Sequence, residues 1–468
     1  MIQDFISNKI TEQLPFEPNK SQHQLIGEIS SFLMSKERNE IFLLRGFAGT
    51  GKTSVVSALV KAMSELQQKF ILLAPTGRAA KVFSAYSGHA AYTIHKKIYL
   101  QKTDGSFELG YNKYPHTLFI VDEASMISNT AQSGQNPFGS GRLLDDLIEF
   151  VYSNDGCRLM LVGDTAQLPP VISEYSPALD PQELRSAGFD VRDFLLTDVV
   201  RQSSESGILY NATKVRKQIE DEAFLVKPDL KLNGYGDIEN LSGEYLEEKL
   251  QDSYRTVGID ESIIITRSNK RANIYSNGIR NKILYKEDEL TNGDLLIISK
   301  NNYFWAKEHK EIDFIANGDI AEIIRMRKHY DMYDLRFADV TLKLTDYDAE
   351  IDARILLDTL HADTPAEIAD INAKLFEKVQ EDYMHIPSRR NRMQEMRKDP
   401  YLNALQVKFA YAVTCHKAQG GQWKHVYIDH GNIREEMMDI QYYRWLYTAI
   451  TRATEKVFLI NFNKNDEF

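Results

Sequence analysis

Gly46-Phe47-Ala48-Gly49-Thr50-Gly51-Lys52-Thr53 sets glycines, a lysine and a hydroxyl at the spacing G-x-x-x-x-G-K-[ST]. Glycines at such positions let backbone N–H groups turn inward around phosphates, and a helix starting at the lysine adds favourable dipole charge. Gly46, Gly49 and Gly51 are therefore candidates to cradle phosphate, with Lys52 reaching the β- and γ-phosphates. The Thr53 hydroxyl is a hard oxygen ligand suited to Mg2+. A second pair, Asp122 and Glu123, ends the apolar run Leu118 to Val121. Downstream of a phosphate cradle, Asp122 suits the metal, and Glu123 suits orienting or deprotonating an attacking water. A third apolar run, Leu159 to Val162, leads into Gly163-Asp164-Thr165-Ala166-Gln167.

These groups need strands that end together at one sheet edge. Apolar runs at Ile41 to Leu44, Phe70 to Ala74, Leu118 to Val121 and Leu159 to Val162 alternate with helical patterns, as in a parallel α/β layer. A second set follows at Ser262 to Thr266, Val407 to Thr414, Lys424 to Ile428 and Lys456 to Ile460. Between its parts lie short β-like runs, Leu295 to Ser299, Phe314 to Ala316, Ile320 to Ile324 and Val340 to Leu344. Asn317-Gly318 signals a hairpin between two of them. Ile351 to Leu360 and Ala369 to Tyr383 carry helical apolar spacing. Tyr99 to Leu109 alternates around Asp104-Gly105 and predicts a small hairpin, while Ala131 to Gly141 has loop composition. The expected architecture is α/β: one domain at 1–205 with a hairpin insertion at about 96–116, and a second at 206–294 and 406–468. A small β plus helical insertion at 295–405 splits the second. No internal repeat is visible.

The chain has 468 residues, 43% hydrophobic and 26% charged, which excludes disordered, collagen-like and membrane-embedded classes. Two cysteines, Cys157 and Cys415, fit a reducing compartment. The N-terminus carries no signal-like pattern and no apolar run spans a bilayer, so a soluble, cytoplasmic protein is expected.

GFAGTGKT, LAPTGRAA, TIH, FIVDEASM, LVGDTAQLPP, VVRQ, VTCHKAQGGQW and YTAITRA stand in the order of the motifs of superfamily 1 helicases. The chain resembles the RecD-like and Dda-like group of superfamily 1B, with Pif-type relatives, over nearly its whole length. That resemblance implies two RecA-like P-loop NTPase domains forming an ATP-dependent helicase that moves 5′-to-3′ on single-stranded DNA and opens tailed duplexes, with ATP and Mg2+ as cofactors, as a monomeric motor. It implies that Gln167 reads the γ-phosphate and that Arg201 and Arg452 are arginines presented to it by the second domain. By the same resemblance Gln22 recognises adenine, with Gln24 the competitor, and Gly420 approaches the γ-phosphate through its backbone. Thr76, Thr93 and His95 take the place of phosphate contacts in the first domain, and Thr414 and His416 in the second. The hairpin takes the place of a duplex-splitting pin, and the insertion that of an SH3-like domain. The Ala131 to Gly141 loop and the Ile351 to Pro400 excursion depart from a minimal member.

Net charge is 56 − 67 = −11. Locally the pattern differs: Arg78 to Thr103 and Arg267 to Lys286 contain bases and no acid, whereas Glu220 to Glu261 and Asp346 to Asp382 are acidic. A basic groove on an acidic body is the footprint of a backbone binder, so Arg78, Arg267 and Lys270 join the candidate nucleic-acid contacts. Tyr99, Phe107, Phe304, Trp305 and Trp423 are candidates for base stacking. Two alternatives share these features: a superfamily 1 RNA helicase or ribonucleoprotein remodeller, and a motor or binding subunit of a recombination exonuclease.

Overall fold

The computed structural model describes residues 2–102, 107–130, 139–171, 173–198, 206–224, 228–307, 309, 312, 314–345 and 349–462. Arg201 and most of the Ala131 to Gly141 loop lie outside the described residues.

The first domain is built on β1 (Glu40–Gly46), β2 (Lys69–Ala74), β3 (Ala91–Thr93), β6 (Thr117–Val121), β7 (Arg158–Gly163) and β8 (Asp190–Leu196), in the order β3-β2-β6-β7-β1-β8. Every pairing is parallel. Helices cover both faces, so inner strands are apolar throughout: all five residues of β6 are buried. The strand β8 did not stand out in the sequence because Asp190, Arg192 and Asp193 interrupt its apolar residues. It is an edge strand whose charges pair sideways, Arg45 with Asp193 at 2.5 Å and Arg192 with the buried Glu40. The hairpin is present as β4 (Tyr99–Gln101) against β5 (Phe107–Leu109), with Tyr99 opposite Leu109 and Gln101 opposite Phe107. Its Asp104-Gly105 turn lies outside the described residues.

The second sheet contains β9 (Ile238–Leu241), β10 (Ser262–Thr266), β16 (Ala412–Thr414), β17 (Trp423–Asp429) and β18 (Ala453–Ile460), ordered β16-β10-β17-β18-β9 and again all parallel. Between β10 and β16 a closed barrel is made from β11 (Leu295–Ile298), β12 (Ile320–Met332), β13 (Leu335–Leu344), β14 (Ala349–Leu356) and β15 (Leu405–Phe409).

Three expectations need correction here. Val407 to Thr414 is two strands: the chain leaves the barrel at Phe409, turns through Ala410 and Tyr411, and enters the second sheet at Ala412. Ile351 to Leu356 is strand, paired along β13 from Leu342↔Ile351 to Phe337↔Leu356, and only Asp358–His361 is helical. Its Ile351, Ala353 and Ile355 fit period two, and burial inside the barrel selects that period over the helical one. Asn317-Gly318 turns the chain into β12 but joins no tight hairpin, because β12 pairs with β11 across the excursion 299–319 and Phe314 to Ala316 forms only a bridge, Asn302↔Ile315. The tight hairpin is β12–β13, where Tyr333 and Asp334 both take positive φ, 56° and 55°. Ala369 to Tyr383 falls in the helix Pro365–Asp382, whose Leu375 and Val379 pack on Leu335, Phe337 and Leu356 of the barrel.

Asp294 ties barrel to sheet. Fully buried, it accepts hydrogen bonds from Arg280 (3.0 and 2.9 Å), Lys286 (3.0 Å), the Thr291 amide (2.8 Å) and the Tyr411 hydroxyl (2.9 Å). Burial alone would raise its pKa, but Arg280, the Thr291 N–H and Lys286 hold the carboxyl below the usual carboxylate range. Asp294→Ala would leave Arg280 buried and uncompensated, so it is expected to cost about 3–5 kcal/mol in a denaturant titration. The wild-type contribution is present above about pH 4 and is lost as pH falls through the depressed value.

Candidate functional site

The phosphate loop follows directly from β1. Gly49 and Gly51 take φ of +77° and +87°, which side-chain-bearing residues rarely adopt, and no side chain caps the start of the helix Lys52–Glu65. A Cβ on Gly46 would meet Lys52 Cδ at 2.9 Å and Leu196 Cβ at 3.1 Å. Lys52 folds back so that Nζ donates to the carbonyls of Gly46 (2.6 Å) and Phe47 (2.9 Å). Burial lowers the pKa of its ammonium, opposed by Asp164, Asp122 and Glu123. Thr53 is exposed in the first helical turn. Gln22 is buried, accepts the Asn19 N–H in a capping box and donates to Thr50 O at 3.2 Å, whereas Gln24 is exposed. This geometry favours Gln22 of the two candidates.

Asp122 ends β6. Its Oδ2 accepts from the Tyr86 hydroxyl at 2.6 Å and its Oδ1 from the Glu123 amide at 2.8 Å. Burial, reinforced by the neighbouring Glu123, pushes the Asp122 carboxyl up to about 6. Glu123 itself sits at φ +53°, a left-handed conformation costing about 1–3 kcal/mol for such a residue and commonest where a side chain must be aimed.

The second domain reaches this site from the helix Ile440–Ile450 and the residues just after it. The Tyr447 hydroxyl donates to Asp164 Oδ2 (2.6 Å) and accepts the Ala48 N–H (2.9 Å). Thr448 Oγ1 accepts the Leu168 N–H at 2.9 Å, and Gln419 Nε2 donates to Leu168 O at 2.7 Å. Arg452, 4% exposed, lies 3.6 Å from Glu123 and donates to the carbonyls of Thr448 and Gly421. With its amide turned to satisfy both ends, Gln167 donates to Glu123 at 3.3 Å and accepts from Arg452 at 3.1 Å. Glu123, Gln167 and Arg452 thus form one hydrogen-bonded chain across the domain boundary. Gly420 takes φ +73°, and a Cβ there would meet Ala79 Cβ at 2.7 Å and Thr76 Oγ1 at 3.3 Å.

Tyr86, Asp164, Gln419, Tyr447 and Thr448 were not singled out from the sequence. Asp164 stands inside the GDTAQ segment, and Thr448 lies in the YTAITRA segment four residues before Arg452, a nearness that could have exposed it.

The nucleic-acid candidates divide. Thr76 and Thr93 cap the helices Gly77–Ser87 and Ile94–Ile98 through Oγ1, and Thr414 precedes Cys415–Ala418. Arg267, His416, Pro170 and Trp445 line a cavity of about 390 Å³ between the domains, and Lys270 is exposed. Other basic residues are engaged within the protein. Arg78 lies 4.0 Å over the Trp423 ring and donates to Gln422 O, and Lys81 donates to Thr345 O. Arg271 pairs with Asp429, and Arg280 and Lys286 with Asp294. Three of the six bases in the acid-free stretch 267–286 are therefore neutralised from other parts of the chain, while Arg267, Lys270 and Lys282 stay exposed. His95 is half-buried, its ring beside Tyr99 and Phe314, and desolvation pushes its pKa down to about 4. Tyr99, Phe107 and Trp423 are core residues rather than stacking platforms: Tyr99 donates to Asp146 at 2.7 Å and Phe107 packs 4.5 Å from Tyr303. Phe304 and Trp305 are half-buried and pack edge to face, with the Trp305 indole donating to Asn403 O at 2.8 Å. No described helix is long and apolar enough to cross a membrane.

Two all-parallel sheets joined across a phosphate loop, with an arginine of one beside a carboxylate of the other, define a two-domain P-loop NTPase of RecA type. Residues 18–226 match the AAA domain family and residues 409–460 the UvrD-like helicase C-terminal domain. The first match falls on the α/β domain that carries the phosphate loop and the second on the strands and helix that carry Arg452. It is 22% identical to an uncharacterized protein of Acanthamoeba polyphaga mimivirus over 94% of this chain and 99% of that one. It is 30% identical to the ATP-dependent RecD2 DNA helicase of Deinococcus radiodurans over 42% of this chain, and spans only 24% of that protein. With the ATP-dependent DNA helicase dda of Enterobacteria phage T4 it shares 25% identity over 62% of this chain and 64% of the relative. A solved structure of a Pif1 helicase from Bacteroides in complex with ADP-AlF3 and ssDNA aligns at a TM-score of 0.47 and 14% identity, covering 96% and 93% of the two chains.

Proposed function

We propose that the protein is an ATP-dependent DNA helicase that moves 5′-to-3′ along single-stranded DNA and opens tailed duplexes. The observation that carries this reading is the chain Glu123–Gln167–Arg452, which couples the hydrolytic site of one domain to the body of the other. A triphosphate on the loop would engage Lys52 and strengthen that coupling, and its hydrolysis would relax it. Where each domain also holds the strand, closing and opening alternate their grip, a two-state cycle biased by nucleotide. The matched families and the ATP-dependent DNA helicases among the relatives support the substrate, and the polarity rests on the resemblance of the motifs to superfamily 1B.

Thr53 and Asp122 supply hard oxygen donors on the two elements flanking the phosphates, and they fit Mg2+. Thr53 and Asp122 would hold the ion, which would supply neutralisation of phosphate charge. Arg201 is proposed as a second phosphate-facing arginine. Thr76, Thr93, Thr414, His416, Arg267 and Lys270 are proposed strand contacts, and the protein is read as a monomer acting in the cytoplasm. Two buried, unpaired-in-disulfide cysteines are consistent with that compartment.

The β4–β5 hairpin is the proposed wedge. Replacing residues 102–106 by a short glycine linker, which keeps the core residue Phe107, is expected to leave ATP hydrolysis stimulated by single-stranded DNA near the wild-type rate and to abolish strand separation. Parallel phosphate-release and fluorescent unwinding assays read the two quantities. For the whole reading, the test is ATP hydrolysis with single-stranded DNA, with RNA and without nucleic acid. Stimulation by DNA is expected, and stimulation by RNA alone would transfer the motor to the other substrate.

A further inference from the structure

Arg216 is a cation that the account above does not use. It lies on the second-domain helix Gly207–Glu220, and that helix is laid directly across the phosphate loop. A Cβ on Gly49 would fall 2.5 Å from Leu209 Cδ1, and Phe47 packs among Ile208, Ala212 and Val215. Arg216 is 8% exposed, and its guanidinium carbon stands 4.3 Å over the Phe47 ring. Its Nε and Nη1 are buried and have no hydrogen-bond partner. Glu220, on the same helix, is 3.8 Å from Nε, beyond hydrogen-bond length, and is itself half-exposed.

Burying a guanidinium with N–H groups unsatisfied is unfavourable unless something meets them, and phosphate oxygens match the geometry of those donors. The residue under Arg216 belongs to the loop that cradles phosphate. Next to it in sequence, the Ala48 N–H is held by Tyr447, which also binds Asp164, so second-domain groups converge on this stretch.

We propose that Arg216 is a nucleotide-binding residue: its free N–H groups donate to the phosphate tail of a bound nucleoside triphosphate. It thereby adds a cationic contact to Arg452 and helps the nucleotide hold the two domains together. This deepens the proposed ATPase reading and rests on it.

The experiment uses the full-length protein and two variants, Arg216→Met and Arg216→Lys. Melting temperature is measured without nucleotide and with a non-hydrolysable ATP analogue, alongside the ATP dependence of DNA-stimulated hydrolysis. Without nucleotide, Arg216→Met is expected to melt within a few degrees of wild type or above it, because an uncompensated buried charge has gone. In the same variant the stabilisation by the analogue should be largely lost, and kcat/KM for ATP should fall by about tenfold or more. Arg216→Lys keeps charge but loses the fork, and is expected to lie between the two. A structural arginine would behave oppositely: the nucleotide-free melting temperature would drop, while the shift caused by the analogue and kcat/KM stayed at wild-type values. That result overturns the proposal. If Arg216→Met does not fold, the Arg216→Lys measurements decide alone: wild-type kcat/KM and analogue shift in that variant would equally overturn it. Failure of the parent reading is distinguishable, since wild-type protein would then show no DNA-stimulated hydrolysis.

Discussion

Arg452→Ala is expected to reduce DNA-stimulated ATP hydrolysis by about 10³ to 10⁵, the range over which an arginine acts on a phosphoryl group carrying developing charge. Arg452 is buried beside Glu123 and Gln167, and it has no solvent route for its charge. Its bonds to the Thr448 and Gly421 carbonyls fix the guanidinium before nucleotide binds, so little reorganisation is left for the reaction itself. ATP affinity should fall far less than turnover, which separates a transition-state contact from a ground-state one. Arg452→Lys retains charge but cannot span both carbonyls and Gln167, and it should recover only a small part of the loss. Steady-state rates at saturating single-stranded DNA check both variants. Circular dichroism confirms folding, because removing the side chain frees two buried carbonyls.

Lys52→Ala is the second large effect, expected at about 10²- to 10³-fold in kcat from loss of one preorganised electrostatic contact, with weakened nucleotide binding as well. Unlike Arg452, Lys52 is held without a direct acidic partner, by the carbonyls of Gly46 and Phe47. Its ammonium is desolvated and its pKa is depressed by that burial. Removing it therefore relieves an unfavourable charge, and the nucleotide-free protein should be no less stable than wild type. Hydrolysis lost with stability kept would identify Lys52 as a ligand of phosphate rather than a structural residue.

How legible these features were depends on the distance over which each is encoded. The phosphate loop is contiguous and its positive-φ glycines are demanded by backbone geometry, so the residue types declare it. The Asp122-Glu123 pair is equally local, since a wholly buried strand must end where carboxylates begin. The strand β8 was hidden by Asp190, Arg192 and Asp193, charges that are tolerable only because Glu40 and Arg45 stand beside them in the next strand. Ile351 to Leu356 fits two periods, and barrel closure chooses between them. The basic stretch 267–286 misled for the same reason at longer range. Asp294 and Asp429 neutralise Arg280, Lys286 and Arg271 from positions that no local reading of charge connects. Arg216 belongs to this class: on a helix it is an ordinary base, and only its seat over Phe47 with N–H groups unsatisfied makes it notable.

The acidic net charge of −11 likewise describes the exterior rather than the track. With Arg78, Lys81, Arg271, Arg280 and Lys286 engaged inside the fold, the proposed strand contacts are few, and Arg267 and His416 sit at the domain junction. Binding to single-stranded DNA should accordingly be salt-sensitive with a shallow slope, roughly −0.7 in log K against log salt for each phosphate neutralised.

The central claim is a motor that converts ATP hydrolysis into directed movement on DNA. The most direct measurement is unwinding of two partial duplexes, identical except that one carries a 5′ single-stranded tail and the other a 3′ tail, with ATP and with Lys52→Ala as control. Separation of the 5′-tailed duplex alone, dependent on ATP and absent from Lys52→Ala, is the predicted result. Separation of the 3′-tailed duplex alone, or of neither by protein that hydrolyses ATP on single-stranded DNA, would contradict it.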